Sequence, residues 1–232
     1  WLMSSVFLPS MIEVEFGEFY KKCTETLFSQ GFKSFHMDFG DKYLINRELE
    51  CWDKVNFLKR ISDEIKLTAH IMSISGNHDL SVERITERCM DKGFEIIYIH
   101  SRSFKDFENL YDFKEKYFKN AHNIFGVVSE VSSYKNNNLV NFVQKYSIQN
   151  VLQMGVPIGK GGQKFCWDAE KRIEDFSSIS SIKNIELDGG LTFEVVKSIN
   201  KENIDRFAGW SIIYDKEPLN VLSKAIDLEK II

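Results

Sequence analysis

The sequence predicts an α/β fold, and within that class a single (β/α)8 TIM barrel. Short apolar runs rich in β-branched and aromatic residues alternate with longer segments of helical periodicity along the 232 residues. Eight such strand-then-helix units fit this length, and no long linker or low-complexity segment interrupts them. An open doubly wound sheet is the main rival, because the order of the elements alone does not exclude it.

Each strand is predicted from one of these short apolar runs, whose residue types are those that strands favour. In chain order the eight runs are SSVFLPS (4–10), SFHMDF (34–39), LTAHIMS (67–73), EIIYIH (95–100), IFGVVS (124–129), NVLQMG (150–155), NIELDG (184–189) and DRFAGW (205–210).

Helices are predicted between the strands, where apolar residues recur at helical spacing. Several of these segments end in Gly or Asn, as helix C-termini often do. The clearest are FGEFYKKCTETLFSQG (16–31), DLSVERITERCMDKG (79–93), FENLYDFKEKYFKN (107–120) and FEVVKSIN (193–200). The segment YKNNNL (134–139) is predicted to be a short turn-like interruption between the fifth strand and the next helix.

Composition narrows the class of protein. We assign residues 1–232 to one barrel domain, and because residue 1 is Trp we leave open that this domain is part of a longer polypeptide. The net charge of −4 argues against a nucleic-acid partner. No apolar run approaches the roughly 20 residues of a membrane helix, and the opening WLMSSVFLPS lacks the pattern of a signal peptide. We therefore expect a cytoplasmic protein without a membrane partner.

The four cysteines are scattered singly, which predicts reduced thiols and no disulfide. They are Cys23, Cys51, Cys89 and Cys166. Association into a homo-oligomer is left open, because apolar positions on the barrel helices are equally explained by packing against the barrel.

A histidine and an aspartate share one face of the second strand. His36 and Asp38 are two positions apart, so both side chains point to the same side. His70 stands near the end of the third strand, and Asp188 near the end of the seventh. Carboxyl ends of barrel strands meet at the active-site mouth, where two imidazoles and two carboxylates would suit Zn²⁺, Mn²⁺ or Fe²⁺.

Taken singly, each of these residues has a structural explanation. A histidine at a strand end is more often a hydrogen-bonded structural residue, and an aspartate there more often caps the next helix. Their joint placement favours a site, because four buried polar groups at one mouth are costly unless a metal or a hydrogen-bond network satisfies them. For His78 and His122, in loop or helical segments, we keep the structural or surface interpretation.

A glycine-rich stretch, MGVPIGKGGQKF (154–165), follows the sixth strand. Its glycines allow backbone N–H groups to approach an anion, although a plain strand-to-helix turn has the same composition. The segments DGG (188–190) and AGWS (208–211) follow the last two strands, where many barrels bind phosphate. Together the three segments predict a phosphorylated ligand.

The ordered motifs of the chain resemble the ribulose-phosphate 3-epimerase family, metal-dependent (β/α)8 barrels of the ribulose-phosphate-binding type. The resemblance runs from about Pro9 to the last strand. It rests on PS (9–10), HMDFGD (36–41) for the family's H-x-D-x-x-D, HIM (70–72), His100, GKGGQKF (159–165) and DGG (188–190).

The resemblance implies reversible inversion at C3 of a ketose phosphate, which makes the protein an isomerase of carbohydrate metabolism. The substrates would be D-ribulose 5-phosphate and D-xylulose 5-phosphate of the pentose phosphate reactions, interconverted through an enediolate. His36, Asp38, His70 and Asp188 match the family's ligands for one divalent metal ion (Zn, Fe, Mn or Co), and Asp38 and Asp188 also match its acid/base pair.

The same resemblance implies the substrate contacts. Ser10 matches a residue that touches substrate, and several glycines match positions near the phosphate. The full predicted substrate-binding set is Ser10, His70, Met72, Met154, Gly159, Gly161, Gly162, Gly189, Gly190, Gly209 and Trp210.

The chain departs from the family pattern at several positions near the predicted mouth. Gly40 stands where the family commonly has Met, Lys160 replaces an aromatic residue, and Trp210 follows the glycine where Ser is usual. Arg102 and Glu130 also replace more typical residues. These changes leave the predicted metal and proton-transfer residues intact. They bear on the identity of the substrate.

Two alternatives remain beside the leading hypothesis. One is a 3-epimerase for another pentulose or hexulose phosphate. The other is a catalytically silent metal-binding barrel retained for interaction or regulation. Related barrels that decarboxylate sugar phosphates use a D-x-K-x-x-D strand motif, and Gly40 stands at the position of that lysine.

Overall fold

Eight parallel β-strands form one sheet in the computed structural model, which describes residues 6–11, 14–122, 124–131, 136–159 and 162–232. The second to eighth predicted strands are confirmed to within two residues at each end, and the first is confirmed over its described part. The strands are β1 Val6–Pro9, β2 Ser34–Gly40, β3 Lys66–Met72, β4 Ile96–His100, β5 Phe125–Ser129, β6 Asn150–Met154, β7 Asn184–Asp188 and β8 Arg206–Gly209.

The sheet curls into a barrel. Its strand order is β1-β8-β7-β6-β5-β4-β3-β2, so consecutive strands are neighbours throughout. The two end strands meet through an isolated bridge between Ser10 and His36, which we call the seam. An open doubly wound sheet reverses its strand order at a switch point. The rival architecture is therefore excluded, and the fold is a single (β/α)8 barrel.

Helices follow the strands and surround the sheet. They are α1 Glu18–Ser29, α2 Trp52–Ile61, α3 Val82–Asp91, α4 Phe107–Phe118, α5 Asn136–Lys145, α6 Asp168–Ser177, α7 Phe193–Ser198 and α8 Pro218–Glu229. Short polar side chains start several of them: the oxygen of Ser81, Asp106 or Thr192 accepts a backbone N–H three residues later. α8 begins at Pro218, a residue suited to the first helical position.

The prediction of a turn at YKNNNL is wrong over the part that the structure describes. Residues 136–139 belong to α5, while residues 134 and 135 lie outside the described part. Asparagine has a low helix propensity. Here Leu139, Phe142 and Val143 lie on one buried face of α5, and their packing against the barrel outweighs that local preference.

The core has two parts because successive strand residues point to opposite sides of the sheet. Outward-facing residues pack under the helices, whereas a smaller cluster around Tyr98, Leu152 and Met154 fills the barrel interior. Polar side chains share that interior, among them His36 and Glu186, both almost fully buried. The cysteines are free, as predicted. Within the described ranges, no helix is long and apolar enough to cross a membrane.

Candidate active site

Four side chains from three strands meet at the carboxyl ends of the strands. His36 and Asp38 lie on β2, His70 on β3 and Asp188 at the end of β7. Register places Asp38 beside His70, and the curvature of the barrel brings β7 across to them. One ligand atom from each of the four lies within 4.8 Å of the others. We call this group the four-residue cluster.

His36 presents an unsatisfied nitrogen to the cluster. Its Nδ1 lies 2.5 Å from Glu186 Oε1 on β7, and Tyr98 donates a hydrogen bond to the other oxygen of that carboxylate. Its Nε2 is buried and has no hydrogen-bond partner among the described residues, with Asp38 Oδ1 3.5 Å away. Such an orphan nitrogen is costly unless a further group occupies the site.

Asp38 is held as a carboxylate. Its Oδ1 lies 3.1 Å from His70 Nδ1, and its Oδ2 accepts a 2.7 Å hydrogen bond from the Ser10 hydroxyl. Burial alone would raise the pKa of Asp38, but the positive charge of His36 and the hydrogen bond and charge of His70 outweigh it and hold that pKa well below its usual range. In the same way, burial lowers the pKa of His36, yet Asp38 and Glu186 outweigh it and raise that pKa well above 6.5.

Asp188 differs from Asp38 although both belong to one cluster. Burial, aided by the nearby negative charges of Asp38 and Glu186, raises the pKa of Asp188 to about 7, against the attraction of His36. One carboxyl group is therefore ionised while the other holds a proton for part of the time near neutral pH. Pairs of carboxyl groups whose environments separate their pKa values in this way are suited to act as base and acid.

Beyond the cluster, His70 begins a chain of hydrogen bonds toward the surface. His70 Nε2 lies 2.8 Å from His100 Nε2, and His100 Nδ1 lies 2.8 Å from Glu130 Oε1. Arg102, whose side chain is 49% exposed, donates to Glu130 Oε2 at 2.9 Å. We call these four residues the outward chain.

A cavity of about 100 Å³ opens onto the cluster. Of the predicted substrate contacts, Gly161 lies outside the described residues, as does Lys160. The other ten all line the cavity: Ser10, His70, Met72, Met154, Gly159, Gly162, Gly189, Gly190, Gly209 and Trp210. The structure brings them together, and substrate binding by them stays a prediction.

Sequence reasoning missed part of the cavity wall and one buried partner. Val156, Ile158, Leu191 and Ser211 line the cavity directly beside predicted positions. Glu186 was also missed, although it is two residues before Asp188 on the same strand. The period of two that linked His36 to Asp38 places Glu186 on the inward face of β7.

The departures from the family pattern have local structural accounts. At Gly40, an added Cβ would clash with Ile45 Cδ1, because the side chain of Ile45 occupies that space. Trp210 is buried in the cavity wall, and its ring meets that of Tyr214 in an edge-to-face arrangement. His78 Nε2 lies 3.6 Å from Asp41 Oδ2, and His122 Nδ1 lies 3.3 Å from Lys114 Nζ, both away from the cluster.

Glycine is required at the turn after β7. Gly190 has a φ of +70°, and a Cβ there would lie 2.7 Å from Val156 Cγ1 and 2.9 Å from Phe165 Cα. Gly93, after α3, has a similar φ of +66° but nothing within 4 Å of the same atom. A side chain added at either position would therefore meet the same backbone strain, but only at Gly190 would it also meet a steric clash.

Gly190→Ala is expected to destabilise the protein clearly more than Gly93→Ala. An alanine at positive φ costs roughly 1–2 kcal/mol at either site, and overpacking adds about 1–3 kcal/mol at Gly190 only. Urea unfolding of both variants and of the parent protein measures the difference. Equal losses in the two variants would contradict the close packing of this turn.

Comparison with solved structures shows the fold. 3-Hexulose-6-phosphate synthase from Salmonella typhimurium superimposes with a TM-score of 0.63 at 12% identity, over 97% of this chain and 97% of that one. KGPDC from Streptococcus mutans gives a TM-score of 0.63 at 9% identity, over 97% of this chain and 98% of that one. 2-Keto-3-deoxy-6-phospho-gluconate aldolase from Zymomonas mobilis gives 0.62 at 10% identity, over 100% and 95%.

No curated protein matches the chain significantly. The sequence model of the ribulose-phosphate 3-epimerase family, however, matches residues 6–214, from β1 to beyond β8. This span includes the four-residue cluster and the whole cavity wall, and it supports an enzyme that processes a phosphorylated sugar. The resemblance drawn from the motifs is confirmed: the chain belongs to the ribulose-phosphate 3-epimerase family.

Proposed function

We propose that the protein is a metal-dependent ketose-phosphate 3-epimerase that interconverts D-ribulose 5-phosphate and D-xylulose 5-phosphate. One observation carries the proposal: Asp38 and Asp188 share a cluster with two imidazoles beside a cavity. Inversion of a carbon needs one group to remove a proton and another to return one from the opposite face. Two carboxyl groups in different protonation states meet that need.

The proposed reaction begins with Asp38 as the base. It takes the C3 proton of the ketose phosphate, and the C–H electron pair moves into the enediolate. Asp188 then donates its own proton to the other face of C3, and the two groups exchange roles in the reverse direction. The hydrogen bond from Ser10 to Asp38 Oδ2 holds the base in one orientation during this transfer.

The donor set of the cluster fits a divalent cation. His36 Nε2 is a buried nitrogen without a partner among the described residues, and two carboxylates and a second imidazole lie within 4.8 Å. His36, Asp38, His70 and Asp188 would hold the ion. When bound, the ion supplies Lewis-acid stabilisation of the charge that develops on the substrate oxygens. Mixed nitrogen and oxygen ligands suit Zn, Fe, Mn or Co.

A second candidate substrate class is another pentulose or a hexulose phosphate. It is favoured by Trp210, a large side chain in the cavity wall directly after Gly209. An indole at this position changes the shape of the cavity near the glycine turns, and so it would change the length of sugar chain that the cavity accepts. The proton-transfer pair remains the same for either class.

The test is NMR of metal-reconstituted protein with D-ribulose 5-phosphate in D₂O. We expect deuterium at C3 together with appearance of D-xylulose 5-phosphate, and loss of both signals after removal of the metal by a chelator. Readdition of Zn²⁺, Mn²⁺, Fe²⁺ or Co²⁺ should restore them and rank the cations.

Other outcomes separate the alternatives. Exchange without inversion would mean one working base and a disabled partner. Neither signal with this substrate, but both with a hexulose 6-phosphate, would favour the second substrate class. Neither signal with any ketose phosphate, in protein shown to contain metal, would refute the proposal and favour a silent barrel.

A further inference from the structure

The outward chain gives His70 an arrangement that differs from that of His36. On the side of the ring that faces away from the cluster, Nδ1 of His36 meets a carboxylate, Glu186, directly, whereas Nε2 of His70 meets a second imidazole, His100. The planes of the His70 and His100 rings differ by 27° and their centroids are 5.0 Å apart, as suits a hydrogen bond between ring nitrogens, and both rings are almost fully buried. The carboxylate at the far end is Glu130.

The inner end of the outward chain fixes the direction of its hydrogen bonds whenever a cation is bound. Nδ1 of His70 faces the cluster, 3.1 Å from Asp38 Oδ1 and 3.7 Å from Asp188 Oδ2. A cation there takes the lone pair of Nδ1, so the proton of the neutral ring is on Nε2. His70 Nε2–H must then donate to His100, and Nε2 of His100 must accept.

The outer end imposes the same direction. If Nε2 of a neutral His100 accepts, its Nδ1 carries the proton and needs an acceptor. Glu130 Oε1 lies 2.8 Å from that nitrogen. Burial would raise the pKa of Glu130, but His100 and Arg102 outweigh it and lower the pKa to about 2, so at neutral pH the group only accepts.

We propose that Glu130 is a positioning residue that sets the ring tautomer of His70, through His100, so that Nδ1 of His70 offers a lone pair to the cation. The inference rests on the proposed metal site and extends it by two side chains. Arg102 orients Glu130: its hydrogen bond to Oε2 of Glu130 keeps Oε1 directed at His100. Arg102 and Glu130 are both positions at which this chain departs from the pattern of its family.

Glu130→Gln is the informative substitution, because it keeps the shape of the side chain but can place a hydrogen-bond donor where Glu130 offers His100 an acceptor. Arg102 only donates, so it will hold the amide oxygen of the new side chain and turn the amide NH₂ toward His100 Nδ1. Two donors then face each other, and relief of that conflict requires the tautomer of His70 that cannot bind a cation through Nδ1. We expect the zinc Kd to rise about 10- to 100-fold, the usual range for partners of metal-binding histidines.

Two further variants separate this effect from loss of charge. In Arg102→Ala/Glu130→Gln the amide is free to turn its oxygen toward His100, so we expect much of the affinity to return. Glu186→Gln removes one charge much closer to the cluster, but its outer neighbour is the Tyr98 hydroxyl, which both donates and accepts. We therefore expect a smaller loss in Glu186→Gln than in Glu130→Gln, the reverse of what distance from the cation predicts.

Zinc competition titrations of these variants provide the first measurement. Long-range ¹H–¹⁵N NMR of the zinc-loaded protein provides the second, and we expect a proton on Nε2 of His70 and on Nδ1 of His100. An unchanged Kd in Glu130→Gln, no recovery in the double variant, or a proton on Nε2 of neutral His100 would overturn the inference. Neither readout depends on turnover, so a protein that passes both but exchanges no C3 proton would refute the epimerase proposal alone.

Discussion

Asp188→Asn is expected to lower the epimerisation rate by about 10²- to 10⁴-fold, the range that a positioned acid or base contributes. The substitution keeps an oxygen for the cation but removes the proton that burial retains on the carboxyl group near neutral pH. Asp38 stays in place with its bond to Ser10. The measurement is conversion of D-ribulose 5-phosphate, followed together with C3 deuterium exchange at saturating metal.

The comparison of the two signals locates the defect. If C3 exchange persists while inversion is lost, Asp38 still removes and returns the proton on its own face of the substrate. Asp38→Asn serves as the matched variant and should abolish exchange and inversion in the direction that begins with Asp38. Unchanged turnover in Asp188→Asn, with metal content equal to that of the parent protein, would rule out the mechanism with two carboxyl groups.

Zinc affinity is expected to increase about tenfold or more per pH unit between pH 6 and 8, since each proton displaced by the metal contributes about tenfold per unit. In the metal-free protein the raised pKa of His36 favours the protonated ring, and Asp188 loses its proton around pH 7. His36 binds metal only when its ring nitrogen is deprotonated, and Asp188 binds it more tightly as the carboxylate. Raising the pH removes the competing protons, so binding becomes tighter.

Titrations at several pH values, with calorimetry in two buffers of different ionisation enthalpy, count the protons released. The slope should lie between one and two protons below pH 7 and approach one above pH 8, where Asp188 is already ionised. Asp188→Asn should remove the second proton and leave a slope near one throughout. An affinity that does not change with pH would contradict a site built from His36 and Asp188.

Most of the fold could be predicted because local pattern and tertiary structure agree. The β2 and β3 strands were predicted from short apolar runs, and their observed bounds, Ser34–Gly40 and Lys66–Met72, differ by one residue at most. Closure of the barrel was not encoded in any one segment. It depends on pairing between β1 and β8, at opposite ends of the chain, and repeated strand-then-helix order was the only indication of it.

The wrong prediction at α5 shows the limit of local reasoning. The asparagines of residues 136–138 have turn propensity, yet their segment is helical because the apolar face that follows them packs on the barrel. No window around YKNNNL contains the surface against which that face packs. Where local preference is weak, contacts distant in sequence decide the structure.

The members of the four-residue cluster could be predicted, but their environments could not. Spacing along β2 linked His36 to Asp38, and position near a strand end added His70 and Asp188. The opposite pKa shifts of the two aspartates depend on burial and on the charges of His36, Asp38 and Glu186, which three-dimensional packing brings together from β2 and β7. The link from His70 to Glu130 crosses β3, β4 and the end of β5, so no sequence spacing expresses it.

The seam ties the chemistry of the protein to the closure of its barrel. There Ser10 forms the bridge to His36, and its hydroxyl also holds Asp38, so the residues that join β1 to β2 are the ones proposed to hold metal and move a proton. The bridge itself is a backbone contact that other residues could form, whereas the hydrogen bond from Ser10 to Asp38 depends on both side chains. Selection on folding would thus preserve Ser10 and Asp38 in a barrel that had abandoned catalysis, and in distant relatives His36 and Asp188 are the more informative marks of a working enzyme.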